Sequence, residues 1–129
     1  MEIISENKIL TREGVFELID QKYIQFTIHN HITTHRIECL EENFEAVKIL
    51  SKDKKYDLLT FTETMDRLGE EEEELIREMF PKLFKSQNIV TNNKLSIMII
   101  NLALTIKKPP IPMKIFSSEE KALKWMFRS

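Results

Sequence analysis

The sequence predicts an α/β domain, with a single-layer, mixed, mostly parallel five-stranded sheet packed with about four helices in the order ββαβαβαβα. Three patterns carry that expectation. Residues 22–28 alternate Tyr23, Gln25 and Thr27 with Ile24, Phe26 and Ile28, the period of a half-buried strand. Two later stretches repeat apolar residues at helical spacing, with a β-prone run between them. The chain then closes on prolines, a short apolar strand and a capped amphipathic helix. Strands that alternate with helices pair in parallel through crossovers, so only the first hairpin should be antiparallel.

Taken in order, residues 1–10 are a weak, mixed lead-in. Val15-Phe16-Glu17-Leu18-Ile19 reads as a strand, Asp20-Gln21 as a tight turn, and residues 22–28 as its hairpin partner. Residues 36–51 read as a helix, because Ile37, Leu40, Phe44, Val47 and Leu50 fall on one stripe. Thr33 or Thr34 is expected to cap it. Tyr56 to Thr62 is β-prone, and Leu58-Leu59 suit a central strand buried on both sides.

Residues 70–85 form the next helix, with Leu75, Ile76, Met79, Phe80 and Leu83 as its buried face. Its acidic start, Glu70 to Glu74, suits the positive end of a helix dipole. Pro81 cannot donate to the helical ladder, so a kink or break is expected near it. Residues 88–91 are a short strand, Asn92-Asn93 a turn, and residues 94–107 a third helix stopped by Pro109-Pro110. Residues 112–116 are a buried strand. Ser117-x-x-Glu120 is a capping box opening a last helix that Ala122, Trp125 and Met126 dock on the core.

Composition narrows the function classes. The 129 residues suit a single domain, spanning 1–129. A net charge of −2 gives no global attraction to nucleic acid or to an anionic membrane. Cys39 is the lone cysteine, which fits a reducing cytoplasm and rules out an internal disulfide. No basic-then-apolar leader opens the chain. The most apolar stretch, Leu95 to Ile106, is too short to span a bilayer, so no membrane insertion is expected. Gly14 and Gly69 are the only glycines, so there is no glycine-rich phosphate loop.

The element order, together with the ending Lys108-Pro109-Pro110-Ile111-Pro112-Met113-Lys114-Ile115-Phe116-Ser117-Ser118-Glu119-Glu120-Lys121-Ala122-Leu123-Lys124-Trp125-Met126, resembles the SpoIIAA-like branch of the STAS family, among its small bacterial members. The resemblance in element order covers nearly the whole chain, and its motif support lies in about the last fifth. It implies a SpoIIAA-like fold, and partner binding in place of catalysis. Classical members carry an Asp-Ser dipeptide whose serine a partner kinase phosphorylates. Here the segment Thr62-Glu63-Thr64-Met65-Asp66-Arg67-Leu68-Gly69-Glu70-Glu71 has no such pair, and Gly69 and Glu70 fall near the phosphorylated position. The phosphorylation switch is therefore not carried over. The resemblance makes Thr62, Thr64, Asp66, Arg67 and Gly69 the expected partner-binding residues.

Other constellations compete with plainer explanations. Thr60, Thr62 and Thr64 alternate, so they point one way at the carboxyl end of a strand, where open α/β sheets bind ligands. His29, His31, His35 and Cys39 lie close in sequence. No Cys-x-x-Cys or His-Glu-x-x-His spacing accompanies them, so a polar loop is the favoured reading and no metal or cofactor is expected. Residues 95–106 are apolar on more than one face. Ile97, Ile100 and Leu104 make one stripe; Ile99, Leu102 and Ile106 make another. Exposing a large apolar side chain forgoes roughly 1.5–3 kcal/mol, so neighbouring elements, a second copy or an apolar ligand should cover the surplus. Ile97, Ile100 and Leu104 are the expected dimer or ligand face, with a homodimer favoured over a lipid pocket.

The function expected is a non-enzymatic cytoplasmic domain for protein interaction or regulation. The alternative is a carrier of a small apolar ligand beside residues 95–106. An enzyme ranks last, since no Ser/His/Asp arrangement, Walker loop or carboxylate pair stands out.

Overall fold

The computed structural model describes residues 1–63 and 68–128, with residues 103–106 described by their backbone. The chain opens on a meander of four strands: β1 (Glu2–Ser5), β2 (Lys8–Leu10), β3 (Gly14–Ile19) and β4 (Tyr23–Ile28). Between β3 and β4, Asp20 and Gln21 both take left-handed φ, 51° and 56°, and Lys22 N–H closes the turn on the Ile19 carbonyl. That is the mirror-image turn whose twist matches a hairpin. Gly14 lies where the two backbones meet most closely. A Cβ there would run into the carbonyl oxygen of Thr27.

From β4 onward each strand is followed by a helix: α1 (Arg36–Ser51), β5 (Tyr56–Phe61), α2 (Glu70–Leu83), β6 (Phe84–Val90), α3 (Lys94–Ile106), β7 (Met113–Phe116) and α4 (Glu119–Met126). The sheet order follows the chain, β1 to β7. Pairing is antiparallel from β1 to β4 and parallel from β4 to β7. The sheet therefore has seven strands in place of the five expected, and it is evenly mixed, not mostly parallel. The two added strands were invisible in the sequence for a physical reason. Every residue of β1 is exposed, so no alternation marks it, and β2 buries only Ile9.

The core lies on both faces of the sheet. On one face, α1 and α2 cover Phe16, Ile24, Phe26 and Leu58 with Phe44, Val47, Leu50, Phe80 and Leu83. Phe16 and Phe26 are cross-strand partners whose rings stack at 4.0 Å. Phe80 meets Phe44 and Phe84 edge-on, at 6.0 and 5.2 Å between centroids. On the other face, α4 places Ala122, Leu123 and Met126 against Tyr23, Leu59, Val90 and Phe116. Leu58 and Leu59 thus serve opposite faces, as a doubly buried strand requires.

Several local expectations need correcting. α1 is entered through His35, which takes left-handed φ and makes no side-chain cap bond, so neither Thr33 nor Thr34 is the cap. α2 keeps helical geometry through Pro81 and ends at Leu83, and β6 starts at once on Phe84, whose ring belongs to the core. Pro81 sits in the last turn, where the helix is ending anyway. Asn93 opens α3, its Oδ1 accepting from Leu95 N–H at 3.0 Å and Ser96 N–H at 3.1 Å. The cap of α4 is Ser118, one residue beyond the expected Ser117, and its Oγ accepts from Lys121 N–H. Trp125 does not enter the core, and β7 is a half-exposed edge strand in place of a buried one.

Candidate functional site

Two surfaces stand out. The first lies at the carboxyl ends of β4, β5 and β6, where open α/β sheets hold ligands. There an open crevice of about 530 Å³ is lined by residues of these strand ends, among them His29, Thr62, Glu63, Thr91 and Asn93. Thr62 and Thr91 are buried. Thr62 N–H donates to the Val90 carbonyl at 3.2 Å, and Thr91 Oγ1 accepts from Asn93 N–H at 3.2 Å. Two residues back along the chain, on the same side as Thr62, Thr60 Oγ1 is buried without a partner among the described residues. The lining mixes these polar groups with Ile28, Phe61 and Val90, and among the described residues it holds no nucleophile paired with a base.

The second surface is α3. Ser96 and Ile100 are buried and Ile97 is half-buried, so this side faces the body of the protein. Leu95, Met98, Ile99 and Leu102 follow at helical spacing on the other side, exposed at 59, 61, 51 and 63%. Scattered apolar residues on a surface need no explanation, but a contiguous exposed stripe of four does call for one. The outward stripe is thus not the Ile97, Ile100 and Leu104 set that spacing suggested. Ile100 is an inward residue at 7% exposure, and the side chain of Leu104 lies outside the described residues. Helical periodicity reveals stripes but not which one the sheet takes.

Of the expected partner-binding residues, Thr62 lines the crevice and Gly69 precedes α2 as its exposed N-cap. Thr64, Asp66 and Arg67 lie outside the described residues. The acidic run that follows is internally paired in part. Glu73 meets Lys107 and Arg77, which together hold its carboxyl below the usual carboxylate range, and Glu72 reaches Arg36 at 3.8 Å.

The histidine-rich segment does not gather into a site. His29, His31 and His35 are exposed, and Cys39 is buried in α1, where desolvation pushes its thiol up and away from reactivity. Among the described residues no group of three or more His, Cys, Asp or Glu side chains is placed to hold a metal ion.

A polar knot beneath that segment escaped the sequence reading. Glu42 accepts from Arg12 N–H at 3.0 Å and from Arg12 Nε at 3.4 Å, and its other oxygen lies 2.8 Å from the Met1 amine. Beside it, Asn43 Nδ2 donates to Glu13 at 3.3 Å, while Asn43 Oδ1 is buried with no partner among the described residues. Burial raises the Glu13 carboxyl, against the pull of Asn43 and Arg36. These residues come from the start of the chain, the β2–β3 turn and α1, far apart in sequence, so no local spacing could have joined them.

Comparison with known proteins bears on the fold and the family. Residues 16–128 match the family model of a domain of unknown function, DUF7793. No curated protein matches the chain. Among solved structures, the chain is similar to an uncharacterised protein of the DUF3478 family with a SpoIIAA-like fold, from Shewanella loihica PV-4. The two share 18% identity with a TM-score of 0.57, over 93% of this chain and 90% of that one. At that identity the likeness speaks for the fold: α/β, SpoIIAA-like, with four helices. Among the described residues no helix is long and apolar enough to cross a membrane.

Proposed function

Since the chain belongs to the DUF7793 family, a domain of unknown function, we propose that it is a non-enzymatic cytoplasmic domain that binds a partner protein through α3. The observation that carries this is the outward stripe of Leu95, Met98, Ile99 and Leu102. A folded protein that leaves a contiguous apolar helix face in water forgoes burial that a partner can supply. The crevice at the strand ends lies close by, since Asn93, the residue that caps α3, also lines it. A partner seated on α3 would lie beside Thr62, which agrees with the role the SpoIIAA-like resemblance implies for that region. Among the described residues neither surface pairs a nucleophile with a general base.

The test is photocrosslinking in the cells that make the protein. A photoreactive amino acid at Met98 should give a discrete protein adduct, and the same group at exposed Glu45 of α1 should give none. Adducts with lipid alone, or a small apolar molecule retained in native mass spectrometry, would replace this reading with that of an apolar-ligand carrier.

A further inference from the structure

Resting on that protein-interaction reading, we propose that the β7 edge accepts an extended segment of a partner protein as an added strand, and that this segment alternates acidic with apolar side chains. β7 ends the sheet. Pro112 and Phe116 turn their carbonyls toward β6, accepting from Gln87 N–H at 2.8 Å and Thr91 N–H at 3.1 Å. Met113 and Ile115, of the opposite parity, therefore turn their N–H and C=O groups to the open side. Extended segments join such edges through main-chain bonds, and surfaces on the two faces select their alternate side chains.

The two faces beside this edge differ in chemistry. On the α4 face, Lys114 Nζ lies 3.6 Å from the centre of the Trp125 ring and the Arg128 guanidinium 3.5 Å from it. Two cations cannot share one side of a ring at that range, so one rests on each face of the indole. Arg128 is fixed by a further bond, Nη1 donating to the Trp125 carbonyl at 2.6 Å. Trp125 stays 37% exposed between them. From residue 107 onward the chain carries six Lys and Arg against two Glu; Lys107 pairs with Glu73 and Lys124 with Glu120, which leaves Lys108, Lys114, Lys121 and Arg128 against Glu119, in a chain of net charge −2. This end is locally positive, and acidic side chains complement it.

On the opposite face, α3 packs against β7 and carries the outward Leu95, Met98 and Ile99. A strand laid on the edge would present alternate residues to the cations and to this apolar helix, which is the reason for the alternation proposed.

The probe is a synthetic peptide alternating glutamate with valine, titrated into the full chain. Trp125 is the only tryptophan, so tryptophan fluorescence reads this site alone. The expected result is a saturable change that weakens as salt rises, with amide shifts at Met113 and Ile115. Met113→Pro removes one outward N–H and leaves the β6 ladder intact, and it should weaken binding about tenfold. Lys114→Glu, which leaves the backbone alone, should weaken it by a similar factor. A peptide with lysine in place of glutamate should not bind.

No binding of the acidic peptide, equal binding of the lysine peptide, or undiminished binding to both variants would overturn the edge site. A mass by light scattering that falls to monomer only in Met113→Pro would also overturn it, by making a second copy the occupant. If the peptide fails while the Met98 photoadduct forms, the edge proposal falls and the α3 interaction stands; the reverse pattern would spare the edge and remove α3 as the partner surface.

Discussion

Two neighbouring carboxyls on α1 and the turn beside it titrate in opposite directions. Burial raises Glu13, so the folded state holds its proton more tightly than the unfolded chain does. Its contribution to stability is complete below the ordinary carboxylate range and is lost as pH rises through the raised value. For Glu42, burial also pushes upward, but the Met1 amine and Arg12 outweigh it and hold the carboxyl low. Its contribution is present above the ordinary range and is lost as pH falls through the lowered value. Glu13→Gln should therefore stabilise the protein at neutral pH, because an amide there can also donate to the orphan Asn43 Oδ1. A gain of about 1 kcal/mol is expected in urea unfolding, shrinking in acid. Glu42→Gln should do the reverse, costing stability at neutral pH and little in acid. A Glu13→Gln protein less stable than the parent at neutral pH would refute the assignment. None of this was legible in the sequence, because the pairing depends on a turn and a helix meeting in space.

What could be read along the chain depended on how each element is buried. The β3–β4 hairpin was plain because alternate side chains face core and solvent, and Ile24 and Phe26 sit opposite Leu18 and Phe16. α1 and α2 were plain because each presents one stripe to the core. β6 starts at Phe84, ahead of the strand the sequence marks at 88–91, because Phe84 follows α2 with no intervening loop and continues its apolar run. α3 was placed correctly, but its orientation was not, because apolar residues on several sides leave two stripes for the sheet to choose between. That choice has a measurable consequence. Ile100 is inward, so Ile100→Ala should cost roughly 2–5 kcal/mol as a cavity forms. Met98→Ala on the outward stripe should change stability by no more than about 0.5 kcal/mol. Thermal unfolding of the two variants separates them, and equal losses would mean that both stripes are covered within the monomer.

Over the whole molecule, burial falls off toward one end of the sheet. β5 lies in the interior, paired on both sides in parallel and covered by α1 and α2 on one face and α4 on the other. β4, β5 and β6 are joined through helices that bury Phe44, Leu50, Phe80 and Leu83 over them. Toward β1 the helix cover thins, with α1 still reaching β2. β2 is held by Ile9 and its ladder to β3, and β1 is an edge strand with every side chain exposed and an irregular register between Ile3 and Ser5. Local opening costs least where few apolar contacts must be broken, so opening should spread inward from β1 and reach β5 only with global unfolding. The same gradient accounts for which strands the sequence revealed, since burial supplies both the pattern and the protection. In native-state hydrogen exchange, the amides of β5 should be the slowest and those of β1 the fastest among the strands. Met113 and Ile115 of β7 should also exchange quickly, because their N–H groups face the open edge, while Phe116 is held by β6. Slow exchange at Met113 and Ile115 in the isolated protein would mean that the edge is already covered, and β1 amides as protected as those of β5 would show that the sheet opens as one unit.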